Sequence, residues 1–241
     1  MKKLLYIIAL LALCAYGEDS EEGVESALIE SIRGADSVFY QGVIDFSKDA
    51  ERASGYLEKA CRAQHPGACF YLGSYYEARA QDKKNAAQSK QNNDKAQEYY
   101  KQGYHNSFEA CKQGAVEWCS LQAVAFIDGH GVPKDTQKGL EYLQMMCERD
   151  IDNACFLLGT YYFYGINVEK NIQKSKEFTQ KALELDTQAC DDNRLYACVL
   201  SAEIYQQGLN TKQDLAKAKI LYSRACDIGN QFACEYVRKL K

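Results

Sequence analysis

Five cysteine pairs with one spacing constrain this chain more than any other feature. Cys61 and Cys69, Cys111 and Cys119, Cys147 and Cys155, Cys190 and Cys198, and Cys226 and Cys234 each enclose seven residues. The steps between successive first cysteines are 50, 36, 43 and 36 residues. A base period near 36 marks a stack of helical units, each too small to bury its own apolar face. Aligned on the first helix, "DAERASGYLEKAC", "DTQKGLEYLQMMC" and "DLAKAKILYSRAC" have one length. In the unit ending at Cys190 the expected cysteine position is Leu183, seven residues early; in the unit ending at Cys111 it is Tyr104, again seven early. Seven residues are nearly two helical turns and return a side chain to almost the same face. The first helix therefore lengthens while its cysteine keeps its direction, and 43 is 36 with one such insertion. The step of 50 needs a further seven, which the polar stretch "AQDKKNAAQSKQNND", Ala80 to Asp94, is expected to supply as a longer connection.

Each unit reads as two helices and a short turn. Tyr56, Leu57, Ala60 and Cys61 share a face of the first; Cys69, Leu72, Gly73 and Tyr76, or Cys155, Leu158, Gly159 and Tyr162, share a face of the second. Glycine inside a helix costs roughly 1 kcal/mol against alanine, so Gly73 and Gly159 imply close approach of a neighbouring helix. The spacing puts one cysteine in the last turn of the first helix and its partner in the first turn of the second. An antiparallel hairpin brings those turns together, and local pairing in each unit is the simplest of the possible connectivities. Two prolines in 241 residues leave the helices uninterrupted. "SVFYQGVIDFSKD", Ser37 to Asp49, has the shape of a second helix with Val38 at the cysteine position and Gly42 at that of Gly73. The organisation is thus an export signal at 1–17, a helical cap without cysteines at 18–47, and five cysteine-paired repeats at 48–241.

The compartment follows from the start of the chain. Lys2 and Lys3 precede the apolar run Leu4 to Ala15, and "AYG" places small residues at a cleavage site after Gly17. The run is too short to span a bilayer and reads as an export signal. Lipidation at Cys14 is the alternative, which Leu13 before it disfavours. Removal of 1–17 takes away two lysines, no acid and one cysteine, so a formal charge of -4 becomes -6 and ten cysteines remain. An even count in an exported chain reads as a disulfide framework, and the location expected is periplasmic or secreted. Mild acidity without a basic block speaks against nucleic acid as a partner. Zinc would need four thiolates from two hairpins, and exported cysteines are usually oxidised, so neither a metal nor a cofactor is expected.

The candidate site residues are few. His65, His105 and His130 fall in three different units without ligand spacing: His65 and His130 in turns, His105 on a lengthened helix. Trp118, the only tryptophan, stands where the other second helices carry Ala68, Ala154, Ala197 and Ala233. It is either a large residue filling space beside the insertion or an aromatic anchor in a ligand groove. Tyr56, Tyr76, Tyr142, Tyr162, Tyr205 and Tyr222 fall at repeat core positions, and other tyrosines suit recognition on a concave face.

"GHGVPKD" at Gly129 to Asp135 and "ACFLLGTYYFYGINVEKN" at Ala154 to Asn171 resemble the Sel1-like repeat, a relative of the tetratricopeptide repeat. The eight-residue cysteine step in an exported chain is similar to the Helicobacter cysteine-rich proteins, over about residues 35–241. The resemblance implies an all-α right-handed solenoid of helix pairs, each stapled by a disulfide, acting as a scaffold for a peptide, a protein or a peptidoglycan fragment. It also brings a second expectation, slow β-lactamase or other amide hydrolase activity, because relatives are described as penicillin-binding. The residues do not add to it. No serine is followed at the third position by lysine, "SDN" and "KTG" do not occur, and the catalytic residues of such an enzyme are unknown here.

Overall fold

A computed structural model describes residues 35, 38, 39, 42, 50–81, 86–191 and 195–239. The expected export signal and most of the expected cap lie outside the described residues. The described chain is helical throughout: α1 Ala50–Arg62, α2 Pro66–Ala80, α3 Ala86–Lys112, a 3-10 turn Val116–Trp118, α4 Cys119–Asp128, α5 Thr136–Glu148, α6 Asp152–Tyr164, α7 Ile172–Asp191, α8 Leu195–Gln207, α9 Leu215–Asp227 and α10 Gln231–Lys239. Two compact units meet along the chain at the Asp135–Thr136 bond.

The lengths of the first helices carry the insertions. α1, α5 and α9 have 13 residues each, and α7 has 20. α3 has 27 residues, so it carries two heptads beyond the basic length. The expectation of a longer connection is corrected here: Ala86 to Asp94 is helix. "AAQSKQNND" holds no glycine or proline, and alanine, glutamine and lysine favour the helix over a loop. The facing α2 runs on to Ala80 because Arg79 stands ten residues after Cys69, where the other second helices place the glycines that end them.

Those glycines are Gly129, Gly165 and Gly208, at φ 78°, 66° and 64°. Two residues after each comes a second left-handed residue, Gly131, Asn167 or Asn210, at φ 75°, 56° and 55°. Glycine and asparagine are the residues that accept this region at least cost. The turn inside the pair is equally regular in the four pairs whose turn is described. The residue three after the first cysteine is left-handed in Gln64, Gly114, Asp150 and Gly229. The next residue's N–H donates five back, from His65 to Ala60, Ala115 to Ala110, Ile151 to Met146 and Asn230 to Ala225, at 2.8–3.1 Å. This is the Schellman closure of a helix, and it reverses the chain in a fixed geometry.

The two helix classes are buried differently. α1 buries one stripe, with Ala53, Leu57, Ala60 and Cys61 inside. α2 is buried at every residue from Pro66 to Tyr75, and α6 at every residue from Asn153 to Tyr161. A helix enclosed on all sides must be apolar or small all round, and "PGACFYLGSY" and "NACFLLGTY" are. The close approaches follow. A Cβ on Gly73 would stand 2.8 Å from Tyr100 Cγ, one on Gly159 2.5 Å from Thr179 Oγ1, and one on Gly42 2.8 Å from Leu57 Cγ. Gly42 thus repeats the role of Gly73 in a segment without cysteines. Of six tyrosines expected in the core, only Tyr222 is fully enclosed; Tyr56, Tyr76, Tyr162 and Tyr205 are half-buried and Tyr142 is 38% exposed. Those five lie at the edge of the packed stripe, and Tyr100 and Tyr161 take the enclosed places.

Candidate functional site

Disulfides join Cys61–Cys69, Cys111–Cys119, Cys147–Cys155, Cys190–Cys198 and Cys226–Cys234, with Cα separations of 4.7–5.0 Å. In the four pairs whose turn is described, the Schellman turn already holds the Cα atoms within bridging distance. The inserted part of α3 reaches one bridge directly, where Asn106 Nδ2 lies 3.4 Å from Cys69 Sγ. Among the described residues no group of three or more histidines, cysteines and carboxylates is placed to hold a metal ion, and no helix is long and apolar enough to cross a membrane. Bridges of this kind form and persist in an oxidising compartment.

The histidines are held apart in three environments. His65 caps α2: its Nδ1 accepts from the Ala68 N–H at 3.1 Å, and Pro66 occupies the first helical position. Its ring stacks on Phe39 at 4.3 Å. Trp118 is 1% exposed and meets His65 edge-on at 5.1 Å. The indole is enclosed inside its unit. α4 also begins later than its counterparts: it starts at Cys119 itself, behind the 3-10 turn that ends in Trp118. His105 is exposed on α3, and His130 lies in the turn after α4.

Two hydroxyl networks recur at one register of the repeat. The buried Tyr100 hydroxyl donates to Glu77 Oε2 at 2.9 Å and meets Ser74 Oγ at 3.1 Å. Tyr222 is equally buried, with its hydroxyl 2.5 Å from Glu203 Oε1 and 2.8 Å from Gln206 Oε1. Ser74 and Glu203 both stand five residues after their cysteine, and Glu77 and Gln206 eight after. Glu203 is 1% exposed and also accepts from Gln207 Nε2 at 3.0 Å. Sequence reading missed both networks; their signal was a polar residue one place after the small residue of the second helix. Burial, and then the nearby Glu77 carboxylate, raise the Tyr100 phenol far above its ordinary range. Burial, with Glu58 and Tyr76 next, pushes Tyr99 up to about 12. Both phenols stay protonated at neutral pH, and Tyr100 acts as a hydrogen-bond donor. Ser74 Oγ also lies 3.2 Å from the Phe70 carbonyl, in the geometry of a donor.

The surface carries a third repeated arrangement. A lysine of the next first helix lies over the half-buried tyrosine seven residues after the second cysteine. Lys95 Nζ is 5.0 Å from the Tyr76 ring centre, Lys174 5.1 Å from Tyr162 and Lys217 4.0 Å from Tyr205. Tyr76 also stacks on Tyr99 at 5.5 Å, and Tyr162 on Phe178 at 6.0 Å. Each site offers an aromatic plane with a cation beside it, which suits stacking and hydrogen bonding to a polar chain.

Helix pairs of one basic length, stapled at each internal turn and joined by turns with paired left-handed residues, define a disulfide-stapled helical-repeat protein. The Sel1 repeat family model matches residues 35–65, 66–107, 123–151, 152–186 and 195–230. That is more than half of the chain, and the chain belongs to the Sel1 repeat family. The residues left between matches, 108–122 and 187–194, fall at the insertions. Among solved structures, a Sel1 repeat protein from Oxalobacter formigenes is 18% identical, covering 83% of this chain and 72% of its own, with a TM-score of 0.37. Helicobacter pylori cysteine-rich protein B is 22% identical, covering 58% of this chain and 96% of its own, with a TM-score of 0.38. A putative Sel1 repeat protein from Klebsiella pneumoniae is 18% identical, covering 89% of this chain and 98% of its own, with a TM-score of 0.40. Comparison with curated proteins gave no match.

Proposed function

We propose that the chain is an exported scaffold that holds a peptide, a protein segment or a cell-wall-derived fragment on the concave face of its repeats. Sel1 repeats generally mediate protein–protein interactions. The observation that carries the reading is the recurrence of half-buried Tyr76, Tyr162 and Tyr205, each beneath a lysine. Within the second unit, the like sites at Tyr162 and Tyr205 suit a ligand that is itself a chain. The five bridges suit work in an oxidising compartment outside the cytoplasm, and the amino-terminal signal with cleavage near Gly17 supplies the route.

The test is selection from a peptide library and a panel of peptidoglycan fragments on the oxidised chain lacking residues 1–17. Retained ligands are then titrated by calorimetry. Binding that weakens about tenfold in the Tyr76→Ala, Tyr162→Ala, Tyr205→Ala triple variant, at an unchanged helical signal, supports the reading. Ligands retained equally by the triple variant, or none retained, overturn it. In the same preparation, a chromogenic β-lactam is expected to show no sustained turnover.

A further inference from the structure

The turns Gly129–Gly131, Gly165–Asn167 and Gly208–Asn210 share one backbone shape, with left-handed residues first and third. In the first and last of these turns the third residue docks on the preceding first helix. Gly131 is so close to the Tyr100–Lys101 peptide that a Cβ would lie 2.5 Å from Lys101 N. Asn210 Nδ2 donates to Ser175 Oγ at 2.6 Å and Thr179 Oγ1 at 3.1 Å. The middle residue differs. It is aliphatic in Ile166 and in Leu209, which is 1% exposed, but in the first turn it is His130, 4% exposed. An imidazole thus occupies a place that the repeat otherwise fills with an aliphatic side chain.

The surroundings of that ring disfavour its charged form. His130 lies flat on Tyr100 of α3, centres 3.8 Å apart and planes at 4°. Its Nδ1 is buried without a hydrogen-bond partner. Glu77 of α2 is the carboxylate facing it, 3.7 Å from Nε2. That is beyond hydrogen-bond distance, and the same oxygen already accepts from Tyr100. Lys134 of the turn itself faces the ring as a like charge, and Asp128 at the end of α4 acts on the Tyr100 hydroxyl.

We propose that the turn from Gly129 to Asp135, which leads the chain from one compact unit into the next, is an acid-released latch closed by neutral His130 on Tyr100. An imidazolium there would bury a charge with no bonded acceptor. Burial first, and then Lys134, hold the closed imidazole down at about 4. In the lifted turn it returns to its ordinary value near 6.5. The open form therefore binds more protons than the closed one between those values, and acid favours opening in that window. From pH 7.5 to pH 4.5 the opening constant should rise on the order of 50–100-fold.

Hydrogen exchange on the full oxidised chain reads this directly. The Gly129 and His130 amides donate to the Ala125 carbonyl and the Asp135 amide to that of Phe126, at 2.8–3.0 Å, so their exchange requires opening. After correction for intrinsic rates, protection at these three amides should fall about 50–100-fold between pH 7.5 and 4.5. His130→Leu, which copies Leu209, should abolish that dependence, and His130→Phe keeps a stacking ring as a second non-titrating variant. By NMR, His130 should titrate below the ordinary histidine value near 6.5. Flat wild-type protection, equal acid sensitivity in both variants, or a His130 that titrates at or above that value in a protected turn would each overturn the proposal. The last outcome would mean that Glu77 accepts the imidazolium.

Discussion

Replacing Cys147 and Cys155 together by alanine should cost the chain about 2.5 kcal/mol or slightly more. The bridge closes a nine-residue ring, and the chain-entropy estimate for a ring of that size is about 2.5 kcal/mol. Both cysteines are buried, at 2% and 0% exposure, so removing their sulfurs also leaves a small void. The native hairpin should survive the change, because the Ile151 N–H to Met146 carbonyl bond, 3.1 Å, closes the turn without help from sulfur. For a chain of this size about 1 kcal/mol moves the melting temperature by 2–4 °C, so a fall of roughly 5–10 °C is expected. Thermal melting by circular dichroism measures it, with mass spectrometry to confirm the other four bridges. Exchange protection should fall most in α5 and α6, because a repeat stack distributes stability locally. A melting temperature within 1–2 °C of wild type would show that the turn alone holds the hairpin and that the entropy argument fails here. Scaled to five bridges, the same estimate reaches about 12 kcal/mol. That is comparable with the whole stability of an ordinary domain, about 5–15 kcal/mol, so the fully reduced chain should sit at the edge of folding.

Two further substitutions test packing and backbone. Gly73→Ala gains about 1 kcal/mol of helix propensity but drives its methyl into a Tyr100 ring pinned by Ser74 and Glu77. Overpacking of this kind costs about 1–3 kcal/mol. A net loss of up to about 2 kcal/mol in urea unfolding is expected, and a stabilised variant would mean that the ring shifts freely. Gln64 sits at φ 65° inside the first bridged turn. Gln64→Gly should therefore raise stability by about 0.5–1 kcal/mol, as a higher urea midpoint, and an unchanged or lower midpoint would count against backbone strain there.

The repeat was legible because its signals are covalent or periodic. A cysteine step of eight, a period near 36 and insertions of seven are all countable, and each has one simple helical meaning. The fate of Ala80 to Asp94 was less legible, because a polar stretch reads alike as loop or as solvated helix. What decides it is Arg79 in place of a terminating glycine, which is visible only once the other three glycines are known to end helices. The tyrosines failed for another reason. A phenol at the stripe's edge and one in its centre differ by a single position, as Tyr99 and Tyr100 do, and periodicity cannot separate neighbours. His130 was read as a turn residue, which it is; that its ring folds inward follows from the left-handed residues on both sides.

The family match changes the meaning of the bridges. In its frame each repeat begins with a second helix and ends with the next first helix, so the boundary between residues 65 and 66 falls inside the first bridge and that between 151 and 152 inside the third. Cys111 and Cys119 lie in the residues between two matches, and Cys190 lies between matches with Cys198 in the last. Counted this way, a bridge tethers successive repeats. In a stack whose stability is a sum of repeat and nearest-neighbour terms, a tether at the junction strengthens the coupling term. Opening of one repeat then leaves its neighbour attached at a turn whose backbone is already closed, and closing again is a local event. An insertion of whole heptads in a first helix leaves that tether in place. α3 and α7 could therefore lengthen by 14 and 7 residues without losing their bridges, whereas an insertion of three or five would have turned the cysteine away from its partner.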